Sequence, residues 1–326
     1  MSGSSYKDIV VTIKDRIVFS KTYRINADIS QFNRPQFLNS FGGNLLSESI
    51  QAIRELNEHP DTVFTVLTGE GRFFCSGADV RSTFTLSWNT AVGMISILRW
   101  ELSETEKNGT VAQKKLAFLS RFIEGKSIID HRKVFVLALN GPAVGAGAAW
   151  FPGVSDIVLA STSTYLQIPF SALGLVPECG SATTLSQSMG VHRANEFVMF
   201  GKKIEASELK SCGFVNQVFE KEHFEEKMIQ YLHHMLKIND GKSMMESKRL
   251  QNIPLRDTRM LAVYNSLDAL AERFVHGAPI AIFAARKRDM EGKYLHVKSP
   301  DADTPLTRHQ QPNREGERRR FKYRMM

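Results

Sequence analysis

Cysteine is scarce in this chain of 326 residues. The three present, Cys75, Cys179 and Cys212, are widely spaced and form no C-x-x-C pair. An odd, scattered set argues against a disulfide framework or a thiolate zinc site and favours a reducing compartment. Histidines offer no alternative metal site, because His131 and His192 sit near element boundaries without ligand spacing. No apolar run approaches a bilayer span, and Met1-Ser-Gly-Ser-Ser-Tyr-Lys-Asp8 has neither a signal core nor the acid-free, Arg-rich character of a transit peptide. Positive charge, by contrast, is in excess at +8 overall, but it is concentrated. From Arg286 onward there are twelve Lys/Arg against six Asp/Glu, so most of the surplus belongs to the end of the chain. The basicity therefore does not make the core a nucleic-acid binder, and no nucleic-acid partner is expected.

A hydrophobic content of 42% with 23% charged residues is enough for one large core or two smaller ones. Residues 9–13 and 17–19 flank Lys14-Asp-Arg16 and read as a hairpin, with a further strand at 27–32. Apolar residues at Leu45, Leu46, Ile50, Ile53 and Leu56 make a helical stripe closed by His59-Pro60. The runs 63–67 and 134–139 are unbroken and apolar, as strands buried on both faces are. Residues 83–126 are polar and helical in pattern. Past Gly190 the chain turns helical, with one stripe through Phe224, Met228, Leu232 and Met235, another through Leu261, Tyr264, Leu267, Leu270 and Phe274, and a basic helix over 281–292 that carries Arg286 and Lys287. The division expected is a core over 1–220, a helical region over 221–296, and a disordered basic tail over 297–326 with Pro300, Pro305, Pro312 and Arg318-Arg-Arg320.

Both buried strands run directly into glycine-rich loops. The first is Thr68-Gly-Glu-Gly-Arg-Phe-Phe-Cys-Ser-Gly-Ala-Asp79; the second is Asn140-Gly-Pro-Ala-Val-Gly-Ala-Gly147. Two such loops converge at the edge of one sheet, where open α/β structures place ligands. The second loop opens a helix whose first amides lack internal partners and so favour negative charge. Further on, Gly174-Leu-Val-Pro-Glu-Cys-Gly180 holds one carboxylate, Glu178, among apolar neighbours that raise its pKa. An amide pocket with one lone carboxylate suggests proton transfer. Simpler readings stand beside it: Glu178 as a helix cap before Ser181, Asp79 as a turn-stabilising residue, and Phe170, Leu173 and Trp150 as plain core rather than an acyl tunnel.

Together with Phe32-Asn-Arg-Pro-Gln-Phe-Leu-Asn-Ser40 and Asp156-Ile-Val-Leu-Ala160, these loops resemble the motifs of the crotonase, or enoyl-CoA hydratase/isomerase, superfamily, in order and spacing from about Ala27 to Gly292. The resemblance implies an α/β spiral of ββα repeats with a C-terminal helical region, assembled as homotrimers or dimers of trimers. It implies an acyl-CoA substrate, with coenzyme A part of that substrate and no separate cofactor or metal. By the same resemblance, the amides of Ala78 and Ala146 form an oxyanion hole, and Ser76, Gly77, Asp79, Gly145, Phe170 and Leu173 bind substrate.

Absence again decides the branch. Hydratases of this family carry one acid near Ala149 and another after the proline matching Pro169. Here no Asp or Glu lies between Gly141 and Ser155, and Phe170 follows Pro169. The acid at Glu178 instead resembles that of peroxisomal-type Δ3-Δ2-enoyl-CoA isomerases, which act in the oxidation of unsaturated fatty acids, with Glu178 as the catalytic residue. Dienoyl-CoA isomerisation, thioester hydrolysis and a non-catalytic binding module are the alternatives. The family suggests the peroxisome, although Arg324-Met-Met326 is not a Ser-Lys-Leu-type address and leaves cytoplasm or mitochondrion open. Pro152-Gly153 falls where the family continues a helix, so that helix is expected to kink or stop.

Overall fold

A computed structural model describes residues 6–14, 27–60, 62–79, 127–285 and 288. The chain divides into two units, Met1–Phe283 and Ala284–Met326. Of the second unit, residues 284, 285 and 288 are described, and all are helical. The expected strand at 17–19, the helical stretch over 83–126, Arg286, Lys287 and the basic tail over 297–326 lie outside the described residues.

The main sheet of the first unit is built from β1 (Ile9–Lys14), β2 (Ala27–Phe32), β3 (Phe64–Gly69), β4 (Val134–Leu139), β6 (Ile157–Ser161) and β9 (Gln217–Phe219), which lie side by side in that order. All neighbouring pairs are parallel except β1 with β2. Strand β1 pairs with β2, with Ile9 opposite Phe32.

Every residue of β3 and β4 is buried, because a parallel sheet is covered on both faces. Successive side chains alternate between the two sides. Phe135, Leu137 and Leu139 join one apolar cluster with Phe32, Leu45, Ile53 and Leu67. Val134, Val136 and Ala138 join another with Phe224, Met228 and Leu232. Helix α1 (Leu45–Glu58) contributes to the first cluster with its apolar stripe. Helix α6 (Phe224–Ile238) supplies Phe224, Met228 and Leu232 to the second, as their spacing predicts.

Between these elements lie α2 (Ala146–Ala149), α3 (Ser181–Met189), α4 (Val191–Phe200) and α5 (Ala206–Ser211), and a small sheet of β5 (Ala143–Val144), β7 (Tyr165–Gln167) and β8 (Ile204–Glu205). Helix α2 stops after one turn and passes into a tight 3-10 turn over Pro152–Val154, since a proline supplies no N–H to continue the ladder.

The last long helix, α7, spans Gly241–Val275 and is capped by Asp240, whose carboxylate accepts from the Ser243 amide at 2.8 Å. Its inward face departs from the expected stripe. Leu267 and Leu270 are buried and Phe274 packs against the core, but Leu261 is 60% exposed and Tyr264 is 37% exposed. Continued back from Leu270 and Leu267 at helical spacing, the face passes through Val263 and Ala262, so Leu261 and Tyr264 point outward.

The amino-terminal ends of the parallel strands are held by buried charge. Asp28 accepts from Lys133 Nζ at 2.8 Å and from Thr62 Oγ1 at 2.6 Å. Lys248 of α7 reaches Asp156 at 2.7 Å and the Lys133 carbonyl at 2.6 Å, tying the long helix to the start of β4.

Candidate active site

Parallel β3 and β4 deliver both glycine loops to the same sheet edge. There the loops pair with each other: the Phe74 amide donates to the Pro142 carbonyl at 3.0 Å, and the Val144 amide to the Cys75 carbonyl at 2.9 Å. Two asparagines brace them. Asn39 Nδ2 donates to the carbonyls of Glu70 and Phe73, both at 2.9 Å. Asn140 accepts from the Gly69 amide at 3.1 Å and donates to the Gly71 carbonyl at 2.9 Å. Gly77, at φ +86°, would bring a Cβ to 2.8 Å from the Val144 carbonyl oxygen, so only glycine permits this approach.

The consequence is a pair of unused donors. Among the described residues, neither the Ala78 nor the Ala146 amide donates to a protein acceptor. Ala78 lies between the two bonds that join its strand to Phe41, whose amide donates to Gly77 and whose carbonyl accepts from Asp79. Ala146 is the first residue of α2, where an amide has no intrahelical partner.

Glu178 reaches the same place from a third loop. This loop begins and ends at glycines with φ +72°, Gly174 and Gly180, each anchored to α7. The Gly174 carbonyl accepts from Arg273 Nε at 3.0 Å, and the Gly180 amide donates to Ser266 Oγ at 2.9 Å. Cys179, between Glu178 and Gly180, also has a positive φ of +51°, a conformation unfavourable for a residue with a side chain. Helix α3 is capped by Gly180 without a side-chain bond, so Glu178 is not a cap.

The Glu178 side chain turns inward instead, and its Oε2 accepts from Trp150 Nε1 at 2.9 Å. The indole is stacked on Phe41, with ring centroids 4.8 Å apart and planes at 16°. Burial pushes the carboxyl pKa up from 4.5 to about 7, with the Trp150 N–H acting in the opposite direction. Glu178 keeps some accessible surface, but what it faces is an apolar cavity rather than open water. Burial, reinforced by the Glu178 charge, raises the neighbouring Cys179 thiol well above its ordinary value, which makes a thiolate nucleophile there unfavourable.

The cavity encloses about 130 Å³. Ser76, Gly77, Ala78, Gly145 and Ala146 form one wall, and Phe170, Leu173 and Glu178 face it, so eight of the nine residues expected from sequence meet here. Asp79 does not. Its buried carboxylate lies 3.7 Å from Arg34 Nη2, and it is not among the described residues that line the cavity. Sequence reasoning weighed Trp150 as plain core against an acyl tunnel and missed its bond to Glu178. The available signal was chemical: a largely buried indole N–H needs an acceptor, and the segment around it has no carboxylate of its own. Leu175, Leu270, Phe274 and Phe283 complete an apolar lining in which Glu178 is the one ionisable side chain among the described residues.

The comparison with protein families settles the relationship. The family model for enoyl-CoA hydratase/isomerase matches residues 26–92 and 100–267. The chain belongs to the enoyl-CoA hydratase/isomerase family. Among curated relatives it is 35% identical over 178 residues to the Delta(3,5)-Delta(2,4)-dienoyl-CoA isomerase of Pyricularia oryzae, covering 53% of this chain and 58% of that protein. It is 34% identical over 194 residues to enoyl-CoA delta isomerase 2 of Rattus norvegicus, covering 60% of this chain and 44% of that protein. The chain thus spans about half the length of these curated relatives. The crystal structure of an enoyl-CoA hydratase/isomerase from Pseudoalteromonas atlantica shares the fold with a TM-score of 0.67 at 22% identity, covering 90% of this chain and 99% of that one.

Proposed function

We propose that this family member moves the double bond of a 3-enoyl-CoA to the 2-position, with Glu178 carrying the proton. The observation behind this reading is the composition of the cavity: two unused backbone donors and one carboxylate in an otherwise apolar lining. The thioester oxygen would accept from the Ala78 and Ala146 amides. Removing a C2 proton places charge on that oxygen and across the adjacent alkene, and fixed amides stabilise the resulting dienolate without reorganising. Glu178 takes the C2 proton as a base and returns it at C4 as an acid. A pKa of about 7 suits both halves of the cycle.

Hydration is disfavoured by the same inventory. Adding water calls for one group to activate it and another to handle the proton, whereas the described cavity residues include one carboxylate. Dienoyl-CoA isomerisation, the activity named for the Pyricularia relative, must return the proton four bonds from C2 instead of two. A carboxylate with one oxygen fixed by Trp150 favours the shorter transfer.

The test is incubation with 3-hexenoyl-CoA, following formation of the conjugated 2-enoyl product by absorbance. Glu178→Ala is expected to lower kcat by roughly 100-fold to 10,000-fold while retaining CoA-ester binding. Undiminished turnover by that variant would refute the assignment.

A further inference from the structure

Trp150 and Glu178 are 28 positions apart, and the fold joins them by a single bond of 2.9 Å. The donor is well placed to act as a fixed point. Trp150 follows the last residue of α2, its amide bonds back to the Ala146 carbonyl at 3.0 Å, and its ring is held flat against Phe41, which is 1% exposed. The acceptor is held independently, through the two attachments of its loop to α7. One carboxylate oxygen is therefore occupied by a donor that has little freedom to move. Among the described residues the other oxygen, Oε1, accepts no hydrogen bond.

We propose that Trp150 is a positioning residue for Glu178: by holding Oε2 it leaves Oε1 as the oxygen that receives the proton at C2 and delivers it at C4. The proposal rests on the isomerase reading above. In the first half, the C2–H bond breaks, its electron pair passes into the dienolate, and the proton joins Oε1. In the second, the dienolate forms a C4–H bond with that proton and Glu178 returns to carboxylate, so no co-reactant is consumed. Because the indole N–H bonds more strongly to a charged carboxylate than to a neutral one, it also keeps the base ionised at a lower pH than the apolar site alone would allow. The groups around Glu178 leave this donor without a substitute. Cys179 in its own loop is a neutral thiol; Arg273 and Ser266 on α7 bond the loop backbone; the remaining cavity residues described carry no ionisable side chain.

The experiment compares pH profiles of kcat/KM for 3-hexenoyl-CoA in the wild type and Trp150→Phe, which keeps the stacked ring and removes the N–H. Tryptophan emission of the wild type and Glu178→Gln is titrated alongside, without substrate. The acidic limb of Trp150→Phe is expected to move up by about one pH unit, giving roughly tenfold lower activity at pH 6 that recovers by pH 9. Wild-type emission is expected to show a step near pH 7 that Glu178→Gln lacks. A limb that stays in place, with activity unchanged or lowered equally at every pH, would overturn the proposal. If Trp150→Phe fails to fold, the emission step decides: its absence from the wild type overturns the pairing. A wild type that shows the step but no isomerisation instead removes the isomerase reading and the proton route with it, and leaves the Trp150–Glu178 pair as a binding-site feature.

Discussion

At the scale of single residues, the chemistry rests on how a carboxyl group is treated by its surroundings. Glu178 binds its proton more tightly in the folded chain than the ordinary value of 4.5 allows, with a pKa of about 7. The folded state therefore holds a proton that the unfolded chain has already released between these two values. Stability falls as pH rises through that window, and above about 7 the fold carries a cost of up to about 3 kcal/mol. Glu178→Gln removes the ionisation but keeps an oxygen for the Trp150 N–H. In urea denaturation this variant is expected to match the wild type near pH 4 and to exceed it by about 1–3 kcal/mol at pH 8. Equal stability at both pH values would show that burial does not strain this group.

At the scale of elements, the site depends on β3 and β4 being neighbours with their amino-terminal ends fixed by charge. Asp28 has no exposed surface, and Lys133 is its ammonium partner at 2.8 Å. Lys133→Met would strand that carboxylate with Thr62 and the nearby His59, and is expected to cost about 3–5 kcal/mol, read as a lower urea midpoint at unchanged m-value. A loss below about 1 kcal/mol would mean the pair is dispensable. This buried layer was not legible in the sequence, because Asp28, Lys133 and Lys248 sit far apart in the chain and each resembles an ordinary surface charge. What was legible is what local pattern encodes. The apolar runs of β3 and β4 announce strands covered on both faces, and the glycines that follow announce loops at one sheet edge. Pro152 marks the end of α2, and the spacing of Phe224, Met228 and Leu232 marks the inward face of α6. That β1 pairs with β2 was not legible, since it joins segments well apart in the chain. The inward face of α7 was misread for a related reason: Leu261 and Tyr264 are apolar enough to join a stripe, and only packing against the core shows that Ala262 and Val263 lie inside.

At the scale of the whole molecule, a site of modest size draws on most of the first unit. The two loops at the sheet edge supply two amides, the residue after α2 supplies the indole, the loop before α3 supplies the carboxylate, and α7 anchors that loop at both ends. Most of the chain's surplus positive charge, from Arg286 onward, falls in the second unit, whereas the described cavity residues all belong to the first. The central claim is that one enclosed carboxylate carries one proton between two carbons, and labelled substrate tests it most directly. Incubating 3-hexenoyl-CoA dideuterated at C2 in ordinary water, and analysing the 2-hexenoyl product by mass spectrometry and NMR, should find deuterium at C4. Product whose C4 carries only solvent hydrogen would contradict the account.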